Sequence, residues 1–314
     1  MSRPLLSICI VNWNTCGLLR ECLASIHADP ASKNWEVIVV DNASSDDSIE
    51  MVRTEFSQVR LLISSTNLGF VGANNWAMGE ALADYWVLLN SDTRVEIGSL
   101  SVLVDFLDQH PEAAVVGPKL IRNDGSIQPS FGVTPSFLSE FANKLLLHKV
   151  FPAIKFGNGG FTHFCEVGWV TGACLMVRKC TGKKVGLLDS TFFMFYEDLE
   201  WCIRIVKNGG RIFYCPTSLV VHVGGQSTRK NFTEMLILSH KSLIYLYEKH
   251  FNRVQFFLLG LMVPVEMTIR SVIWSLAYCL QPARRDEAGQ RLRAYWYIIR
   301  GAKEAPNYID RINH

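Results

Sequence analysis

Along the N-terminal half, apolar residues come in short runs, and each run stops at a polar cluster. Leu5–Val11 leads into Asn12-Trp13-Asn14, and Trp35–Val40 into Asp41-Asn42-Ala43-Ser44-Ser45-Asp46. Arg60–Ile63 leads into Ser64 to Asn67, and Tyr85–Leu89 into Asn90-Ser91-Asp92. Stretches with helical character, Gly17–His27 and Gly69–Ala83, lie between them. Runs near-continuous in Val, Ile and Leu that alternate with helices predict an α/β architecture, a parallel sheet covered on both faces. Such sheets bind ligands beyond the carboxyl ends of their strands, which is where Asn12, Asp41, Asn67 and Asp92 fall.

Two later stretches add to this pattern. After the aromatic run Phe192 to Tyr196, the residues Leu199, Cys202, Ile203 and Val206 recur at helical spacing and predict one buried helix face. Glu197 and Asp198 then fall in the first turn of that helix, and Glu200 and Arg204 stand i,i+4 as an ion pair supporting it. From Gln255 to Leu280 the chain is apolar over about 25 residues, enough to reach across a bilayer. Glu266 and Arg270 oppose a simple span, because a charge at bilayer centre costs roughly 2.5–3.5 kcal/mol. The expectation is a helix lying at a membrane surface beside anionic lipid; the alternative is a core helix pair broken at Pro264.

Charge sharpens the division of the chain. The 314 residues carry 31 Lys and Arg against 29 Asp and Glu, so no whole-chain basic field marks a nucleic-acid binder. Residues 228–314, however, hold 13 basic and 7 acidic side chains, while 1–227 hold 18 and 22. Residues 1–227 are therefore expected to form one domain, and residues 228–314 a basic, apolar helical region. The nine cysteines are odd in number and contain no CxxC pair, so no disulfide framework or zinc knuckle is expected. With no cleavable signal pattern ahead of the first strand, a reducing, cytoplasmic setting follows.

Absent motifs narrow the ligand. The first strand is not followed by GxGxxG, and neither GxxxxGK[ST] nor GxSxG occurs, which disfavours dinucleotide, P-loop and α/β-hydrolase sites. A nucleotide held without glycine-cradled phosphates calls for a divalent metal at its diphosphate. Asp41 can accept from a base or ribose, or simply close an Asx-turn. Asp92, just beyond a hydrophobic strand, is suited to a hard cation, with a turn as the alternative. Glu197 and Asp198 behind aromatics suit a general base of raised pKa, or a carboxylate favoured by the helix dipole. His222 precedes Gly224-Gly225 and is either a metal or diphosphate contact or a structural histidine.

Taken together, six motifs resemble the family 2 glycosyltransferases, and within them the rhamnosyltransferase-like branch. They are Ile8 to Asn14, Val39 to Asp46, Asn67 to Phe70 with Asn74-Asn75, Leu88 to Thr93, Val170 to Ala173, and Phe195 to Arg204. The resemblance covers about residues 5–227. It implies a GT-A fold (Rossmann-like, with a mostly parallel sheet), a nucleotide-sugar donor, a Mg2+ or Mn2+ cofactor, and inversion at the anomeric carbon. By position, Asp41 looks like the nucleoside-binding acid, and Val11, Asn12, Asn14, Asn67, Gly69, Asn74, Asn90 and Ser91 line the donor side. Asp92 looks like the last acid of the DxD metal motif, here reduced to Asn90-Ser91-Asp92 with a single carboxylate. His222 matches a histidine on the metal or diphosphate. Asp198 matches the base, Glu197 assists, and Trp169, Thr171 and Gly172 lie on the acceptor side.

The expected reaction moves a sugar, first among candidates L-rhamnose from dTDP-L-rhamnose, onto a glycan or polyprenyl-diphosphate-linked acceptor at the inner face of the plasma membrane. A UDP-sugar transferase and a catalytically silent binding subunit are the rival readings.

Overall fold

The computed structural model describes residues 3–133, 161–224 and 232–301. The described residues divide into two compact units, one of residues 3–133, 161–193 and 197–224, the other of 194–196 and 232–301. The expected domain boundary at 227/228 lies outside the described residues.

The first unit begins with β1 (Leu6–Asn12), α1 (Cys16–Ala28), β2 (Trp35–Asn42), α2 (Ser48–Glu55), β3 (Arg60–Ser64), α3 (Gly69–Glu80) and β4 (Tyr85–Asn90). It continues with β5 (Thr93–Val95), α4 (Ser99–Gln109), β6 (Ala113–Ile121), β7 (Ile127–Gln128), β8 (Phe131–Gly132), β9 (Cys165–Val167), β10 (Trp169–Val170) and β11 (Cys174–Arg178). It closes with α5 (Lys179–Val185), α6 (Glu197–Lys207) and β12 (Arg211–His222). The main sheet runs β3-β2-β1-β4-β11-β6-β12-β5.

The four strands read from the sequence are parallel and adjacent, with Asn12 paired to Asp41 and Val11 to Asn90. That register sets the polar strand ends side by side. Beyond β4 the sheet is mixed, because β11 lies antiparallel between β4 and β6. Alternation along each strand gives the sheet two dry faces. Leu6, Ile8 and Ile10 of β1 meet Leu19, Leu23 and Ile26 of α1 and Leu103 and Leu107 of α4. On the other face α3 packs on β1 and β2, and Trp86 of β4 meets Trp201 of α6 over Gly182. Five cysteines, among them Cys9 and Cys174, are buried as small hydrophobes, and all nine are free.

Two helix details differ from expectation. α3 ends at Glu80, short of Ala83. On α6, Cys202 and Ile203 are buried as expected, together with Trp201, Ile205 and the fully buried Glu200, whereas Leu199 is half-buried and Val206 is 37% exposed. Arg204 neutralises Glu200 at 2.9 Å, so the carboxylate sinks and the helix rotates toward its tryptophan.

The second unit holds α7 (Phe232–His250), α8 (Arg253–Leu280) and α9 (Arg285–Ile299). α8 runs unbroken through Pro264, so no helix pair is broken there. Its core joins Ile237, Leu243 and Tyr247 to Leu259, Val263, Met267, Ala294, Tyr295 and Ile298.

Candidate active site

The carboxyl end of β1 carries Asn12, which is fully buried; its amide donates to Asp41 Oδ2 and to Ser44 Oγ, both at 3.2 Å. Asp41 Oδ1 accepts from the Ser44 N–H three residues on at 3.0 Å, closing a side-chain-to-backbone turn. Asn14 anchors the same loop, accepting from the Ser45 N–H at 2.7 Å. The Thr15 hydroxyl donates to Asn12 Oδ1 at 2.7 Å and lies 3.0 Å from Ser91 Oγ, tying the ends of β1 and β4 together. Val11 is half-buried beside Asn90. Asp41 thus closes a turn at the strand end, as one of its two readings expected.

Next along the rim, Asn42 donates to Asn67 Oδ1 at 2.9 Å and to the Gly69 carbonyl at 3.2 Å, and accepts from the Leu68 N–H at 2.8 Å. Gly69 has φ +72°, and a Cβ there would stand 2.5 Å from the Phe193 carbonyl. That carbonyl accepts the Phe70 N–H at 2.8 Å and so takes up a free donor of α3's first turn. Asn74 is buried, and its amide donates to the Phe70 carbonyl one turn back at 2.9 Å.

At the end of β4, His222 Nε2 stands 3.2 Å from Asp92 Oδ1 and 3.4 Å from Asn90 Nδ2. Its other nitrogen, Nδ1, stands 3.2 Å from Gln128 Oε1. With Nδ1 donating to the Gln128 oxygen, the ring would be free to present the Nε2 lone pair to a cation beside Asp92. Two acceptors held at this spacing match adjacent positions on a six-coordinate cation with bonds of about 2.1 Å. A carboxylate with an imidazole suits Mn2+, and also Mg2+ if diphosphate oxygens complete the set. The residues therefore fit a divalent ion with few protein ligands, and no cluster of three such ligands occurs among the described residues.

The Glu197–Asp198 pair opens α6. Asp198 Oδ2 accepts from the Gly172 N–H at 2.8 Å and Oδ1 from the Leu199 N–H at 2.7 Å. Burial raises its carboxyl pKa, while those two N–H groups and the Thr171 hydroxyl pull it back toward the ionised form. Glu197 is 6% exposed and its Oε2 meets no donor. Burial first, and then the neighbouring Asp198 charge, push its pKa up to about 8.

The Gly172-Ala173 dipeptide joins this pair to the rest. The Ala173 carbonyl accepts from the Asn90 N–H at 3.0 Å, and a Cβ on Gly172 would touch Asp198 Cβ and the Phe70 ring, each at 3.5 Å. Thr171 and Gly172 thus lie against Asp198, whereas Trp169 pairs with Gly132 on the small β8–β10 sheet.

Backbone strain gathers at the same loops. Among the described residues the non-glycines with positive φ are Asn14, Ala43, Phe195 and Tyr196, at 54°, 64°, 71° and 65°. Each costs about 1–2 kcal/mol relative to an ordinary conformation, and two of them are consecutive aromatics directly ahead of Glu197.

The sequence did not mark Thr15, Asn42, Ser44 or Gln128. Asn42 and Ser44 sat inside a quoted motif, but Thr15 and Gln128 act only through partners far along the chain.

Comparison with known proteins follows the same lines. The sequence model of the family described as Glycosyl transferase family 2 matches residues 7–165. The N-acetylglucosaminyl-diphospho-decaprenol L-rhamnosyltransferase of Mycobacterium tuberculosis is 30% identical over 235 residues, 68% of this chain and 75% of that one. The dTDP-rhamnosyl transferase RfbF of Shigella flexneri is 25% identical over 253 residues, 78% of each chain. Among solved structures, the mannosyltransferase PcManGT of Pyrobaculum calidifontis, in complex with GDP-Man and Mn2+, superposes with a TM-score of 0.60. That likeness has 15% identity and covers 97% of this chain and 89% of the other, and it speaks to the fold alone.

Proposed function

The chain belongs to glycosyl transferase family 2, and from that premise we propose that it moves L-rhamnose from dTDP-L-rhamnose to a hydroxyl of a lipid-linked glycan, in the assembly of a bacterial surface polysaccharide. It is a glycosyltransferase of GT-A fold. Two rhamnosyltransferases among its relatives favour this donor, and the lipid-linked acceptor named for one of them favours work at the cytoplasmic face of a membrane.

The observation that carries the reading is the anchored carboxylate of Asp198 beside the neutral-favouring site of Glu197. Asp198 takes the proton of the acceptor hydroxyl as that oxygen attacks C1 of the sugar. The new C1–O bond forms as the bond to the nucleoside diphosphate breaks, and the configuration inverts. A base so placed supplies about 10²–10⁴-fold, and the remainder comes from positioning. Asp41 and Asn12 hold the nucleoside side, with Asn67 and Gly69 shaping the adjoining wall. Asp92 and His222 would hold a divalent cation, which when bound neutralises charge on the departing diphosphate. Glu197, Thr171 and Gly172 set the acceptor side.

Calorimetric titration with TDP, UDP and GDP, with and without Mg2+ or Mn2+, tests the donor. Metal-dependent preference for TDP supports rhamnose, preference for UDP moves the donor to a UDP-sugar, and no binding leaves a silent subunit. For the base, Asp198→Asn is expected to lower turnover by at least 10²-fold with donor affinity nearly unchanged. Loss of donor affinity would reassign Asp198 to positioning.

A further inference from the structure

α8 presents an apolar surface that sugar transfer does not use. One row, Leu259, Val263 and Met267, is buried against Ala294, Tyr295 and Ile298 of α9. A second row faces outward at three- and four-residue spacing, from Val254 and Phe257 through Leu261, Val265, Ile269 and Ile273 to Leu276, each more than half exposed. The polar side chains between these rows satisfy themselves within the helix. Thr268 donates to the Pro264 carbonyl at 2.8 Å, Ser271 to the Met267 carbonyl at 2.7 Å, and Arg270 to Glu266 at 2.9 Å. Basic residues collect at the ends instead, Arg284 paired to Glu287 at 3.2 Å and Arg285 donating to the Tyr278 carbonyl at 3.2 Å. Arg253 opens the helix, and Arg284 and Arg285 follow it, their guanidinium carbons 4.8 Å and 5.8 Å from the Trp274 and Tyr278 ring centres. Arginine beside Trp and Tyr at the margin of an apolar band is the chemistry of a lipid headgroup boundary.

We propose that α8 lies in the plane of an anionic bilayer surface, its outward row in the acyl boundary and its terminal arginines among headgroup phosphates. This deepens the reading above, which places the acceptor in a membrane, and it is tested apart from it. A spanning α8 would carry α9, packed along its buried row, into hydrocarbon together with Asp286, Glu287, Arg291 and Arg293. Pairing with a second copy would set basic ends against basic ends in either orientation.

The test is sedimentation of the full chain with phosphatidylcholine vesicles, with and without phosphatidylglycerol. Binding is expected only with phosphatidylglycerol, weakened by salt and released by alkaline carbonate. Cys279, exposed in solution, is expected to become protected from a water-soluble maleimide. Leu261→Asp with Leu276→Asp should abolish binding, and Arg284→Ala with Arg285→Ala should weaken it about five-fold per arginine. Both variants should still bind nucleotide like the parent chain, which separates failure here from failure of the enzyme reading. No binding at low salt with Cys279 unprotected overturns the proposal. Resistance to carbonate overturns it in favour of a span, and a lipid-free dimer broken by Leu276→Asp overturns it in favour of a second copy.

Discussion

Asp198 accepts N–H groups from Gly172 and Leu199, while Glu197 Oε2, one residue earlier, is buried without a donor. Two adjacent carboxyls therefore sit in different surroundings: burial raises the pKa of both, but only Asp198 has N–H donors that pull it back toward the ionised form. The Glu197 carboxyl has an ordinary value of 4.5 and is raised to about 8 in the fold. Between those values the folded chain keeps a proton that the unfolded chain has released, so the contribution of this group to stability is fully present below 4.5 and is lost as pH rises toward 8. Glu197→Gln is expected to flatten this decline, read as melting temperature against pH over that window. Gln128 acts through His222, and Gln128→Ala is expected to weaken Mn2+ binding about 10–100-fold in a calorimetric titration of the nucleotide-saturated chain, with Gln128→Glu retaining most of it. The acids of this site were legible in the sequence because they close apolar runs. Gln128 was not, because its only distinguishing property is that it meets a histidine 94 residues away.

At the scale of elements, the legible parts were those whose burial is written into one continuous segment. β1, β2 and β4 read as strands because both faces of each are dry, and β3, half-exposed at the sheet edge, reads as one from its short apolar run. The antiparallel entry of β11 between β4 and β6 could not be read, since the order of strands in a sheet is a tertiary choice that leaves no period in the sequence. The buried face of α6 was legible in part: Cys202 and Ile203 are buried and Glu200 pairs with Arg204 as expected, but the depth of Glu200 could not be read. Glu200 at zero exposure contradicts any hydrophobic pattern until Arg204 is seen to pair with it while also donating to the Val185 and Leu187 carbonyls, each at 2.6 Å. Removing one member of a buried pair strands the other charge. Arg204→Ala is therefore expected to destabilise the fold by about 3–5 kcal/mol in chemical denaturation, and joint replacement of Glu200 and Arg204 by apolar residues of similar volume by far less.

Across the whole molecule, the nine thiols report how burial is distributed. Cys180 and Cys279 are exposed, while Cys9, Cys22, Cys174 and Cys202 are buried, with thiols pushed up by desolvation, Cys22 and Cys202 to about 12. Brief alkylation of the native chain is expected to modify Cys180 and Cys279 and spare those four, as read by peptide mass spectrometry; denaturant should expose them all. The division of charge along the chain was legible from composition alone, but the outward row of α8 was not. A run apolar on every side reads the same whether it ends in a core or at a surface.

The pairing of Asn90 and Asp92 with His222 also governs when the catalyst can come into being. Asn90 and His222 are 132 residues apart in sequence, and β12, which delivers the histidine, is the last strand of the sheet. Contacts of such separation form late, after the loop entropy of the intervening chain has been overcome. On a ribosome, the strands that carry Asn12, Asp41 and Asp92 emerge long before their histidine does. A chain stopped short of residue 222 would lack the strand that seats His222 beside Asp92, so the proposed cation site stays incomplete until β12 has joined the sheet between β6 and β5.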